Sequence, residues 1–143
     1  MCSSNNPNTD KNYILGISCF YHDSAASLIC DGEIISAVQE ERFSRKKHDS
    51  RFPSNAIRYC LKKNKLDLGK ISNIVYYEKP LLTFERLLET YLAVAPRGMR
   101  SFIAAMQIWL KEKLFLKREL IKNIKLIQEE LGESKNSNLP KLL

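Results

Sequence analysis

The dipeptide Asp31-Gly32 stands between two apolar runs, Ala25 to Cys30 and Glu33 to Gln39. A two-residue Asp-Gly link is the sharpest short-range signal for a β-hairpin, because a type I′ turn needs positive φ at both central positions. Upstream, Tyr13 to Cys19 is short, mostly apolar and rich in branched residues, without strict alternation. That pattern suits a buried first strand covered on both faces. The stretch Tyr13 to Arg51 therefore predicts a three-stranded meander with two polar interruptions. One is the turn Tyr21-His22-Asp23-Ser24 after the first strand, and the other is the cationic tail Arg45-Lys46-Lys47-His48 after the third.

Both interruptions admit two readings. In the turn, the small side chains of Ser24, Ala25 and Ala26 would let a ligand approach the backbone N–H groups, as oxyanion and phosphate sites require. The commoner outcome for such a segment is an ordinary polar turn, with Asp23 bonding a nearby N–H and His22 facing water. In the tail, Glu40, Glu41, Arg42, Arg45, Lys46, Lys47 and His48 crowd both signs into nine positions, and a run of charges is most often a solvated face. Lysine and arginine at the end of a strand also suit a phosphate or carbamoyl oxygen. Two anion-compatible segments flanking one hairpin say more than either does alone.

The string LGISCFYHDSAASLICDGEI, followed by EERFSRKKHDSRFPSNAIRYCL, resembles the start of the O-carbamoyltransferases of nodulation-factor and antibiotic biosynthesis. The resemblance runs from about Tyr13 to the end of the chain. It implies an incomplete actin/hexokinase-like (ribonuclease H-like) α/β sheet domain with a helical extension, akin to the tRNA threonylcarbamoyl-transfer proteins. By the same resemblance, His22 lies beside the acceptor hydroxyl as general base or orienting group, and Asp23 fixes its tautomer or shapes the turn. Lys47 is similar to the lysine that contacts carbamoyl adenylate, where an ammonium offsets phosphate charge and polarises the acyl group. Arg45, His48 and Ser24 are further candidates for that anion site. An imidazole and an ammonium are thus expected on opposite walls of one cleft.

Two departures qualify what the resemblance implies. Gly16-Ile17 is followed by Ser18 rather than by the aspartate that many ATPases of this superfamily use to hold metal and nucleotide, which argues against an ATP hydrolase or sugar kinase. A metal-binding His-His-x-x-x-His segment, implied for the full-length family, is expected only beyond Leu143. With His22 and His48 alone, no first shell for a transition metal can be proposed. ATP and an iron-like divalent metal are implied for the complete enzyme, with neither held by this chain alone. The chain is accordingly expected to be an amino-terminal piece with little activity of its own, needing a downstream polypeptide, and acting on a small-molecule hydroxyl acceptor and carbamoyl adenylate.

The remainder of the chain is consistent with one core carrying appendages, as 143 residues allow. Residues 1–12 are polar and read as a disordered leader without the apolar core of a signal peptide. Phe52-Pro53-Ser54-Asn55 opens a helix with Ala56, Ile57, Cys60 and Leu61 on one face, ending near Asn64. Ile71 to Tyr77 predicts a fourth strand that can join the sheet in parallel, completing the α/β part over 13–80. Residues 81–132 read as a helical insertion. A first run passes through Leu82 to Leu92 and breaks at Ala95-Pro96, a second begins near Met99, and a third runs from about Lys117 to Leu131, with Gly132 as stop. Residues 133–143 read as a linker and a strand cut off before it can pair.

The net charge is +7, and Lys111, Lys113, Lys117, Arg118, Lys122 and Lys125 supply a basic helical face. Such a face can bind nucleic acid or a membrane surface. The alternative function is therefore a non-catalytic basic module for nucleic acid, nucleotide or an acidic partner. More often, lysines at this spacing form the solvated side of a core-facing helix, with Trp109 and its aromatic neighbours as packing residues. That reading disfavours a nucleic-acid partner. No apolar run is long enough to span a bilayer. Four cysteines without ligand spacing suit a reduced, cytoplasmic chain, and Cys19 and Cys30 read as small buried hydrophobes.

Overall fold

The computed structural model describes residues 11–77, 80–94, 97–132 and 140–143, and for 80–84, 94, 101, 105 and 108–114 the backbone alone. The described residues of Met1–Tyr77 and Asn123–Leu143 form one compact unit, and those of Glu78–Lys122 a second.

The first unit is a mixed α/β structure. Strands β1 (Tyr13–Ser18), β2 (Ala25–Cys30) and β3 (Glu33–Gln39) form the antiparallel meander. The helical turn α1 (Glu41–Ser44), helix α2 (Ser54–Asn64) and strand β4 (Ile71–Tyr76) follow. The sheet order is β3-β2-β1-β4-β5, where β5 is Lys141–Leu142. Strand β4 runs parallel to β1, with Leu15 opposite Ile74 and Ile17 opposite Tyr76. The hairpin forms as its residue types dictate, for Asp31 has φ 50° and Gly32 φ 89°, the left-handed pair that a type I′ turn requires. Asn12 ties the hairpin tip to the base of β1, since its N–H donates to Asp31 Oδ1 (3.0 Å) and its carbonyl accepts from Asp31 N–H (3.1 Å). The rest of the expected leader lies outside the described residues.

One face of the sheet carries the core. Leu15, Ile17, Ala26, Leu28, Ile74 and Tyr76 are buried there in register, and α2 packs on β2 and β3 through Ala56, Ile57, Cys60 and Leu61. Each fully buried leucine or isoleucine contributes roughly 1.5–3 kcal/mol by removal from water. Strand β1 is covered less completely than its apolar run suggests. Leu15 and Ile17 are buried, but Ile14, Gly16 and Ser18 on the other face are only half-buried. Absence of alternation in sequence did not mean two covered faces here, because Gly16 and Ser18 are small rather than apolar.

Two further expectations change. Residues beyond Met99 form one continuous helix, α4 (Met99–Glu130), not two runs. No Gly or Pro stands between Phe115 and Lys117, so nothing in the backbone forces a break. The chain's last segment does pair: Asn73 lies opposite Lys141, Leu143 N–H donates to Ile74 O (2.8 Å), and Tyr76 N–H donates to Leu143 O (3.2 Å). The earlier helix, α3 (Pro80–Val94), and the stop at Gly132 (φ 72°) agree with the sequence. The linker 133–139, the Ala95-Pro96 break and the Trp109 side chain lie outside what is described. Lys117, Arg118, Lys122 and Lys125 are exposed, whereas Ile124 and Ile127 are buried, so the last turns of α4 have one wet and one dry face.

Candidate functional site

The site grows from the end of β1. Burial places Cys19 at full coverage, and Tyr76 Oη donates to its carbonyl (2.9 Å), anchoring the point where the chain leaves the sheet. Immediately beyond, Phe20 (φ 68°) and Asp23 (φ 52°) adopt left-handed backbone that L-residues seldom take. Those reversals turn the chain back into β2 within a few residues and present Tyr21 and His22 to solvent.

The turn is latched to the tail that follows β3. Phe20 N–H donates to Ser50 O (2.7 Å), and Ser24 N–H donates to Asp49 O (2.8 Å). The Ser24 hydroxyl donates to Arg51 O. Ser24 is thus buried with both donors spent on backbone carbonyls. These groups join two segments and are not free to meet an anion, unlike the open N–H expected from its small size.

Asp49 explains why the tail holds its shape. Its carboxylate is fully buried and accepts Arg51 Nε–H (2.9 Å) and Nη2–H (2.7 Å), a two-point pairing that satisfies both oxygens. The Arg51 guanidinium holds the Asp49 carboxyl far below the usual carboxylate range, and Asp49 in turn raises Arg51. Glu40 has a comparable part at the other end of the tail. It is buried at the end of β3 and accepts Ala56 N–H (2.8 Å), Asn55 N–H (3.3 Å) and Asn55 Nδ2–H (2.7 Å), so it caps α2 from a distance. Sequence reasoning took Glu40 as part of a solvated charge run and did not single out Asp49. The available signal was that α2 opens on Pro53-Ser54 without a side-chain cap of its own, leaving orphan N–H groups in need of an acceptor.

Of the predicted site residues, three meet. His22 Nδ1–H donates to Asp23 Oδ2 (2.9 Å), and His48 Nδ1–H donates to Asp23 Oδ1 (3.0 Å). The bond from His48, and next that from His22, holds the Asp23 carboxyl below its ordinary value. Tyr21 stacks beside His22 with ring centroids 4.4 Å apart. Lys47 and Arg45 lie on the same tail, exposed, and among the described residues their side chains make no hydrogen bond or ion pair. Both stand close in sequence to His48, which is the tail residue bonded to Asp23. A depression of about 470 Å³ opens on the uncovered sheet face, floored by Gly16, Ala25 and Ser27 and edged by Gln39, Arg42 and Tyr77. Neither His22 nor Lys47 lines it. Among the described residues, His22 and His48 instead share a surface-facing cluster in which Asp23 is the hub.

Among the described residues no three His, Cys, Asp or Glu side chains converge as metal ligands. Asp23 has both oxygens bonded to imidazoles, so the described residues do not fit a metal. Cys19, Cys30 and Cys60 are buried, and burial pushes the Cys19 thiol up to about 12. No described helix is long and apolar enough to cross a membrane.

The sequence profile of the family described as "Carbamoyltransferase N-terminus" matches residues 13–143, which is nearly the whole chain. The chain belongs to this family. Among curated proteins it is similar to the uncharacterized protein sll1178 of Synechocystis sp., at 61% identity over 131 residues, covering 92% of this chain and 21% of that protein. It also resembles the nodulation protein NolNO of Sinorhizobium fredii, at 47% identity over 58 residues, 41% of this chain and 8% of that protein. The uncharacterized protein MJ1051 of Methanocaldococcus jannaschii is 48% identical over 54 residues, 38% of this chain and 10% of that protein. The chain thus spans about a fifth or less of the length of these three relatives. Membership bears out the family resemblance carried by the turn and tail strings, and the carbamoyltransferase amino-terminal part that it implied.

Proposed function

We propose that this chain supplies the acceptor-side portion of a carbamoyltransferase with an actin/hexokinase-like sheet domain, working on a small-molecule hydroxyl in the cytoplasm. The donor in this reading is carbamoyl adenylate, made from carbamoyl phosphate and ATP by polypeptide beyond this segment. The observation that carries the reading is the Asp23 carboxylate, which joins the His22 turn to the tail bearing Lys47. That link supports, without itself placing the Lys47 side chain, a reading in which a base and a cation serve one reaction. His22 Nε2 takes the proton of the acceptor hydroxyl, and the freed oxygen bonds to the carbamoyl carbon. The bond from that carbon to the phosphate oxygen breaks, its electron pair leaving on adenylate phosphate. Lys47, with Arg45 beside it, offsets the phosphate charge.

The test is a carbamoyl-transfer assay on the chain supplemented with the remaining polypeptide of a longer relative, against the chain alone. Removing a general base costs about 10²–10⁴ in rate, so His22→Ala is expected to lower turnover on that scale. Lys47→Ala is expected to raise the KM for carbamoyl adenylate as well. Unchanged turnover in both variants would sink the assignment of the site. Full turnover by the unsupplemented chain would sink the requirement for more polypeptide.

A further inference from the structure

His48 touches Asp23 from 25 positions away, and the contact is aimed rather than incidental. Both residues have left-handed backbone, Asp23 at φ 52° and His48 at φ 55°, a costly arrangement at two non-glycine positions that face each other. The segment carrying His48 is clamped to the turn by the Phe20–Ser50, Ser24–Asp49 and Ser24–Arg51 bonds, so neither side chain is merely draped on a loop. The Asp49–Arg51 pair fixes the same segment from below. An ionised carboxylate has no proton to give. Each Nδ1 that lies 2.9–3.0 Å from it must therefore be the donor.

We infer that Asp23 holds His22 and His48 as one unit, with a proton on each Nδ1 and a lone pair on each Nε2, making His48 a positioning residue for His22. This goes beyond the reading above, which it rests on only for the reaction served. One carboxylate has two oxygens; with a single histidine bonded it can swing about its χ angles, and His22 swings with it. Occupying the second oxygen with His48 removes that freedom. Both Nε2 atoms are left without a hydrogen-bond partner among the described residues, on side chains 61% and 65% exposed. His22 Nε2 is then ready to accept a hydroxyl proton, and the imidazolium so formed keeps its Nδ1–H on Asp23 Oδ2. His48 is not a ligand of the donor's phosphate in this arrangement.

The inference is tested by ¹⁵N NMR of histidine-labelled chain at a pH where both imidazoles are neutral. Both rings are expected to show a protonated Nδ1 and a bare Nε2, the reverse of the usual preference of free imidazole. Asp23→Ala is expected to return both rings to that usual preference. His48→Ala is expected to weaken it at His22, and His48→Gln, which keeps an N–H donor, to restore part of it. Nε2 protonation of either ring in the native chain would overturn the inference, as would an unchanged His22 signal in His48→Ala with intact backbone shifts. These readouts need no activity, so they fail separately from the proposed reaction. In the supplemented assay, His48→Ala is expected to lower kcat by up to about 100-fold, as misplacement of a catalytic group does. The KM for carbamoyl adenylate is expected to stay unchanged. A raised KM at unchanged kcat would make His48 a phosphate ligand instead and would also overturn the inference.

Discussion

Glu40 and Asp49 are single residues whose buried carboxylates decide the conformation of everything between β3 and α2. Truncating Glu40 to Ala leaves the N–H of Asn55 without its acceptor and, more costly, that of the buried Ala56 as well. An orphaned buried donor costs about 1–3 kcal/mol, so Glu40→Ala is expected to lower unfolding free energy by that much in urea titration, and Glu40→Gln by less. Asp49 predicts a pH dependence instead. Arg51 depresses its native carboxyl below the unfolded chain's value of about 4, so between the two values the folded state binds fewer protons. The stabilisation is complete above about pH 4 and is lost as pH falls through the depressed native value. Urea midpoints measured from pH 6 downward are expected to fall more steeply for the native chain than for Asp49→Asn. Neither role was legible from residue type, since glutamate in a charged run is ordinarily wet and an aspartate two positions before an arginine is ordinarily a turn.

At the scale of elements, the hairpin, α2 and β4 follow from local signals that the fold leaves intact. Gly32 shows why. A Cβ added there would meet nothing within 4 Å, so the cost of Gly32→Ala lies wholly in its positive φ. That cost is about 1 kcal/mol, expected as a shift in urea midpoint without a change in slope, and Gly32→Asn is expected to cost less. A larger loss, or a changed slope, would mean that the turn supports more than its own register. The elements less visible in sequence were those set by their neighbours. Strand β5 reads in the sequence as a strand without a partner; two residues long, it pairs because β4 offers it an open edge. The sequence reading divided α4 before Lys117, although the backbone has no reason to stop there.

Across the whole molecule, three of the four cysteines are enclosed by the sheet and its helix. Cys19, Cys30 and Cys60 are fully buried, and burial pushes the Cys19 thiol up to about 12 and raises that of Cys60 as well. Their reaction with a thiol-specific reagent is expected to require opening of the unit and to accelerate with urea in step with global unfolding. Rapid modification of all three in the native chain would contradict the enclosed core. The family resemblance, the meander and the presence of a polar turn and a basic tail were determined by the sequence alone. These depend on residue types a few positions apart, where φ preferences and side-chain period act directly. Only the tertiary structure decided that Asp23 would bind His48 and that Ser24 would be spent as a latch. Such pairings depend on which segments folding brings together and which groups lose water there, and the linear order of residues carries neither quantity.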